Sequence, residues 1–307
     1  MHRLQNRGRR VTLRDTWPYH LLILPGLLVI VIYTIIPFFG NVIAFQNFKP
    51  ILGFTRSKWV GLENFEYMFR LKDTYKIFRN SLIIASLKLI LSLVASIFFS
   101  ILLHEARGVR LKKGVQTICF LPHFLSWVIL ATIFKNIFGD SGLINTLLVQ
   151  LGVAQSSVNF LGSNAWFRAL IVGTDVWKEF GYGSIIFIAA LAGISPELYE
   201  AADIDGASRL AKIWHITLPG ILVTVALVAT LNLANILNAG FDQVYNMYSP
   251  VVYETGDIID TYVYRMSFIN AQYSMATAVG LLKSAVSFIM IAFSYCIAYR
   301  FAGYRLF

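Results

Sequence analysis

The stretch PELYEAADIDGASRLAKIWHITLPG, residues 196–220, decides how this chain is read. Pro196 suits the first turn of a helix, and Glu197 and Glu200 follow where carboxylates meet the positive helix end. Ala201, Ala202 and Ala207 are small, so another surface can come close to the backbone. Gly206 permits a sharp change of direction. Lys212 and His215 are expected on a second short helix that ends before Pro219. The pattern predicts a short helical hairpin suited to docking rather than to reaction.

Outward from this hairpin the chain changes character. A soluble globular chain holds about 45–50% apolar and about 25% charged residues. This one has 57% and 14% over 307 residues, with a mean hydropathy of +0.65, which argues against a cytosolic enzyme, a coiled coil or a disordered chain. The excess sits in six apolar runs, 21–45, 81–103, 115–138, 167–193, 221–237 and 276–299, each near the roughly 20 residues that cross a bilayer; five carry at most one charge, and 167–193 is more polar, with Arg168, Asp175, Lys178 and Glu179 in its first half. The first run passes Pro25 and Pro37 with no cleavage pattern, so it reads as a span rather than a signal peptide. Arg3, Arg7, Arg9, Arg10 and Arg14 against Asp15 predict a cytoplasmic start. Alternation then puts 104–114, 194–220 and the tail with Arg300 and Arg305 inside. The 139–165 loop, without Lys or Arg, and 238–275, with only Arg265, fall outside. The expected organisation is a cytoplasmic tail over 1–20, a six-helix membrane domain over 21–299 and a cytoplasmic tail over 300–307. The 46–80 loop breaks the charge pattern with seven basic residues on the outer side. Arg70, Lys72, Lys76 and Arg79 are expected on an interfacial helix with Phe65, Phe69 and Phe78 on its apolar side.

Most of the net charge of +10 is thereby topological, so the expected partner is the lipid bilayer and not nucleic acid. Cys119 and Cys296 lie inside apolar runs, and the histidines lack ligand spacing, so no metal site is expected. No phosphate-binding G-x-x-x-x-G-K-[ST] loop, H-E-x-x-H or G-x-S-x-G motif occurs, so neither ATP hydrolysis by this chain nor another catalytic role is expected.

The hairpin spacing, Glu200-Ala201-Ala202, three residues, Gly206, nine residues, Ile216-Thr217-Leu218-Pro219, resembles the EAA loop of the membrane-spanning subunits of binding-protein-dependent ABC importers. The likeness extends over nearly the whole chain, through VGLENFEYMF (60–69) and DVWKEFGYGSIIFIAALAGISPELYEAADIDGAS (175–208). FDQVYNMYSPVVYETGDIIDTYVYR (241–265) and YSMATAVGLLKS (273–284) resemble the LplB-like carbohydrate branch. The resemblance implies an all-α membrane protein with the type I importer permease fold. It also implies a second homologous permease subunit, two ATPase subunits that bind ATP and Mg, and an extracytoplasmic solute-binding protein. By the same resemblance Glu200, Ala201, Ala202, Asp203, Gly206, Ala207 and Pro219 couple to the ATPase: Glu200 contacts its surface, Gly206 sets the hairpin angle and Pro219 starts the fifth span. The alternative, a sugar transporter not coupled to an ATPase, lacks the repeats and interrupted helices in matching halves that it calls for.

Candidate path residues come from polarity inside the spans. Asn232, Asn235 and Asn238 share one face of the fifth span by their i, i+3, i+6 spacing. They either bond a neighbouring helix or line a polar path and bond sugar hydroxyls. Phe241, Tyr245 and Tyr248 either stack on sugar rings or form an interfacial belt. Asp175, Lys178 and Glu179 fall on one helical face, as a structural ion cluster or as part of the path. Lys88, Lys135, Arg168, Lys178 and Lys283 outnumber Asp175 and Glu179 in the spans. That surplus either favours an acidic saccharide, such as a uronate oligomer, or snorkels toward headgroups.

Overall fold

The computed structural model describes residues 13–302; Arg3, Arg7, Arg9, Arg10 and Arg305, on which the expected orientation partly rests, lie outside the described residues. The described chain is an all-helical membrane bundle apart from one antiparallel two-stranded ribbon, β1 (Gln46–Asn47) with β2 (Lys58–Trp59). Helix α1 (Leu13–Ile30) continues through a π turn, Val31–Ile35, and ends in a 3-10 turn, so the first span is Tyr19–Phe45. None of its apolar window is covered by the rest of the chain. After the ribbon come α2 (Glu63–Arg70) and the long α3 (Lys72–Glu105).

At about 1.5 Å per residue, the 34 residues of α3 run about 51 Å, well beyond the ~30 Å hydrocarbon core. Its first turns therefore stand outside the core, which is where Lys72, Lys76 and Arg79 belong. This corrects the expected interfacial helix: Leu71 takes an extended backbone, ends α2 after Arg70 and starts α3. Phe65 and Phe78 pack against Met68, Ile77 and Tyr262, whereas Phe69 faces outward.

The expected third run is also not one helix. α4 (Val109–Phe120) stops at the 3-10 turn holding Pro122, and α5 (Trp127–Phe138) restarts under the Ser126 side chain, which accepts from the Ile129 N–H. α5 and α6 (Leu143–Gln150) together make the candidate span Trp127–Gln150, so a helix occupies part of the expected outer loop 139–165. α7 (Phe167–Ala192) is the fourth span; it bends by 69° into α8 (Pro196–Ile204), the first arm of the hairpin.

The second arm corrects another expectation. α9 (Arg209–Lys212) does not stop before Pro219. It passes through a π turn, Ile213–Thr217, directly into α10 (Leu218–Leu233), giving one candidate span from Arg209 to Leu233. A proline lacks an N–H and its ring crowds the carbonyl four residues back; a widened turn just before it removes both problems. Pro37 follows the π turn of the first span in the same way. α11 (Phe241–Met247) and α12 (Ile259–Tyr264) precede the last span, α13 (Tyr273–Ala302).

Three apolar clusters hold the bundle. One joins α3, α5, α7 and α11 through Ile84, Leu130, Phe134, Ile171 and Val244. A second joins α2, α3, α12 and α13 through Met68, Ile77, Tyr262, Met275 and Val279. The third, Phe187, Leu191 and Ile221, sits near the hairpin. α3 and α7 approach closely because Gly183 faces Ser96, whose hydroxyl donates to the Phe180 carbonyl at 3.0 Å.

Candidate coupling hairpin and translocation cavity

The hairpin is a preorganised unit. α8 ends with Gly206 at φ +72°, and the Ala207 N–H bonds the Ala202 carbonyl at 2.9 Å while the Gly206 N–H reaches Asp203 O at 3.1 Å. That pairing is the left-handed glycine cap in which a side chain at Gly206 would be strained. Ser208 then caps α9, accepting from the Ala211 N–H at 3.2 Å. Two side-chain bonds close the arms: Lys212 Nζ lies 2.6 Å from Asp203 Oδ1, and the Tyr199 and Thr217 hydroxyls are 3.1 Å apart. Asp203 thus has a partner within the hairpin. Glu200 and Ala201 are exposed and Ala202 and Ala207 half-buried. Leu198, Ile204, Leu210 and Trp214 expose apolar surface around them, Ile204 at 87%. Pro219 sits in the first turn of α10.

A cavity of about 370 Å³ opens between α3, α7 and α10. Ser92 and Ser96 line it from α3, Asp175, Glu179 and Tyr182 from α7, and Asn232, Asn235, Asn238 and Gly240 from the far end of the fifth span. The structure brings the three amides together, but not as one helical face. α10 ends at Leu233, and the chain continues in a tight turn, with the Asn235 N–H on Asn232 O at 2.9 Å and the Asn238 N–H on Asn235 O at 2.8 Å. Three residues per turn stack positions i, i+3 and i+6 above one another. All three amides are exposed and make no side-chain hydrogen bond among the described residues.

Lys88 is the keystone of the wall. Its ammonium lies 3.0 Å from Asp175 Oδ1 and 2.8 Å from Ala239 O, and donates also to Gln243 Oε1, so all three of its donors are used. Gln243 turns its amide to Ile171 O at 2.7 Å and Thr174 Oγ1 at 2.8 Å. Gly240, at φ +88°, leaves room for the amine: a Cβ there would fall 2.9 Å from Lys88 Nζ. The charge of Asp175 therefore goes to α3 and not to Lys178 along its own helix. Lys178 turns away from the cavity, donating to His123 O at 2.7 Å and Glu179 Oε1 at 3.0 Å, with its ammonium over the Trp127 ring. Glu179 Oε2 meets His123 Nδ1 at 2.7 Å, and the His123 ring stacks on Tyr182 at 3.8 Å.

Phe241 and Tyr245 are likewise not on the cavity wall. They begin an aromatic ladder beside it, Phe241 on Tyr245 at 5.2 Å, Tyr245 on Tyr264 at 4.8 Å and Tyr264 on Phe268 at 5.2 Å. Nearby, Asp257 holds Arg265 through both oxygens, at 3.2 and 2.5 Å, over the Tyr253 ring. Burial opposes the Arg265 charge, but the Asp257 carboxylate more than restores it, so the guanidinium is held above its ordinary value. Of the basic surplus, Lys88, Lys178 and Lys283 are paired, the last with Asp260 at 2.5 Å. Arg168 donates to Asn80 Oδ1 and Thr255 O, and Lys135 is exposed. Gln243 carries no signal in the sequence, and His123 acquires its partner only by folding.

Residues 96–302 match the model of the family described as binding-protein-dependent transport system inner membrane component. The chain belongs to this family. The permease is 43% identical to Protein LplB of Bacillus subtilis over 96% of its own length and 92% of that protein. It is 38% identical to the polygalacturonan/rhamnogalacturonan transport system permease protein YteP of the same organism, over 92% and 88%. It superposes with a TM-score of 0.86, at 32% identity over 94% of its length and 97% of the other chain, on a chain of a bacterial ABC transporter that imports the acidic polysaccharide alginate. A second alginate transporter structure, in complex with an alginate pentasaccharide-bound periplasmic protein, matches at a TM-score of 0.85. The permease is thus a multi-pass inner-membrane subunit of an ABC importer, not an enzyme and not an ATPase-independent carrier.

Proposed function

We propose that the permease forms half of the path for oligosaccharides or polysaccharide fragments, opposite a second homologous permease subunit. The observation that carries this reading is the row of Asn232, Asn235 and Asn238, three free amides side by side on a cavity wall. An amide left without a partner in a membrane interior costs roughly 1–3 kcal/mol, whereas sugar hydroxyls both donate to it and accept from it. The substrate names printed for YteP and for the alginate transporters support the saccharide class. The wall offers hydroxyl partners rather than a free cation, because Lys88, the lysine that lines it, is already held by Asp175.

In this reading the hairpin docks on one of two ATPase subunits, which bind ATP and Mg, through Glu200, Ala201 and Ala202. A solute-binding protein delivers substrate to the opposite face, and both termini are cytoplasmic. The test is uptake of neutral and uronate oligosaccharides by the assembled importer in vesicles. Uptake of either that falls in Asn235→Leu while the complex still assembles supports the path. Unchanged uptake in that variant removes the amides from it.

A further inference from the structure

The basic residues between the first two spans are used by neither the cavity nor the hairpin. Residues 46–62 contain Lys49, Arg56 and Lys58 and no Asp or Glu. They follow the last residue of the candidate first span, Phe45, without a spacer, next to where that span leaves the hydrocarbon. Trp59 lies on that residue, its ring stacked on Phe45 at 5.8 Å.

The segment is tied down by hydrogen bonds. The β1–β2 ribbon closes it, the Lys49 N–H bonds Ser57 Oγ at 3.2 Å, and the Gln46 amide bonds Phe54 O at 2.9 Å. The Phe48 N–H reaches Ser274 Oγ at 2.9 Å, which ties the segment to the start of α13. A segment so held still exposes Ile51 at 99%, Phe54 at 52% and Trp59 at 60% beside three cations. Apolar and aromatic side chains interleaved with Lys and Arg are the composition of a segment seated in the headgroup layer.

We propose that this ribbon is a binding site for anionic phospholipid headgroups: Ile51, Phe54 and Trp59 enter the interfacial layer, and Lys49, Arg56 and Lys58 pair with lipid phosphates. The occupant is lipid rather than protein because the patch continues directly from a membrane span and its charge complements a phosphate surface. The outer-side placement rests on the orientation proposed above; the headgroup chemistry does not, since lipid phosphate lies at both surfaces.

The test uses the assembled importer in nanodiscs. Tryptophan emission is compared between wild type and Trp59→Phe, so that the difference isolates Trp59. Brominated phosphatidylglycerol is expected to quench that signal more than brominated phosphatidylcholine of the same acyl chains, with the preference falling about fivefold or more in the Lys49→Gln, Arg56→Gln, Lys58→Gln variant and at high salt. Equal quenching by the two lipids, or none by either, overturns the proposal. So does a triple variant that keeps the lipid preference but loses stimulation by the solute-binding protein, which would make the ribbon a protein contact. Labelling of Ile51→Cys from one side or the other reports the orientation separately.

Discussion

Replacing Lys88 by Met tests the centre of the cavity wall. The side chain of Lys88 is 8% exposed and that of Asp175 18%, so the pair lies in the buried regime and not in the surface regime of about 0–1 kcal/mol. Lys88→Met leaves the Asp175 carboxylate facing a methyl group, and it strips Ala239 O and Gln243 Oε1 of their common donor. Removing one partner of a buried pair costs about 3–5 kcal/mol, because the remaining charge loses its partner in a largely desolvated site. At roughly 2–4 °C per kcal/mol for chains of comparable size, the expected fall in the unfolding midpoint is on the order of 10 °C. The assay is thermal unfolding of the assembled importer in detergent, for Lys88→Met, Asp175→Leu and the two combined. The double variant carries no orphaned charge, so it should melt above either single one, short of wild type by the bonds lost at Ala239 and Gln243. A Lys88→Met protein that melts within about 2 °C of wild type, or a double variant at the sum of the two losses, would refute the reasoning.

Other substitutions separate the remaining roles. Asn235→Leu should weaken transport about two- to tenfold, the worth of one neutral hydrogen bond, with no change in complex assembly by size-exclusion chromatography. Gly206→Pro should abolish coupled ATP hydrolysis, since proline cannot take φ +72°, whereas Asp203→Ala, which opens an ion pair half in water, should lower it no more than about fivefold. Cysteines placed in 150–160 should react with a membrane-impermeant reagent from outside and cysteines in 194–220 only from the cytoplasm; the opposite pattern would invert the orientation.

The spans and the hairpin were legible because composition and fixed spacing act locally: a run without charges must be buried or in lipid, and the Gly206 position must permit a left-handed turn. What failed was local rules set against tertiary ones. Proline rules stop a helix before Pro219, yet a π turn carries it through. The spacing of Asn232, Asn235 and Asn238 reads as a helix face, while the amides are aligned by a tighter turn beyond the helix end. Asp175 and Lys178 are neighbours on one helix, but the carboxylate finds Lys88 on another, because a cation brought in by packing has a better approach than one leaving along the same surface. No sequence rule pairs Lys88 with Gln243, 155 residues away.

The two arms of the hairpin lead to two different walls of the cavity. From α8 the chain runs back through the 69° bend into α7, and about 26 Å of rigid helix separate Ala192 from Asp175. From α9 it runs without a break to Asn232. Because Lys212–Asp203 and Tyr199–Thr217 bind the arms to each other, a force on the proposed ATPase contact displaces both helices together. The third wall, α3, meets the hairpin where His104 lies beside Tyr199, at 5.8 Å. At the cavity, in contrast, Lys88 fixes α3 to α7 and to the segment leading into α11. Between the cavity and the hairpin, Ser96 and Gly183 also pack α3 against α7, so the α3 wall moves with α7. The Lys88–Asp175 pair thus joins the α3 and α7 walls at the cavity, and the free amides of Asn232 and Asn235 lie on the wall that continues from the second arm of the hairpin.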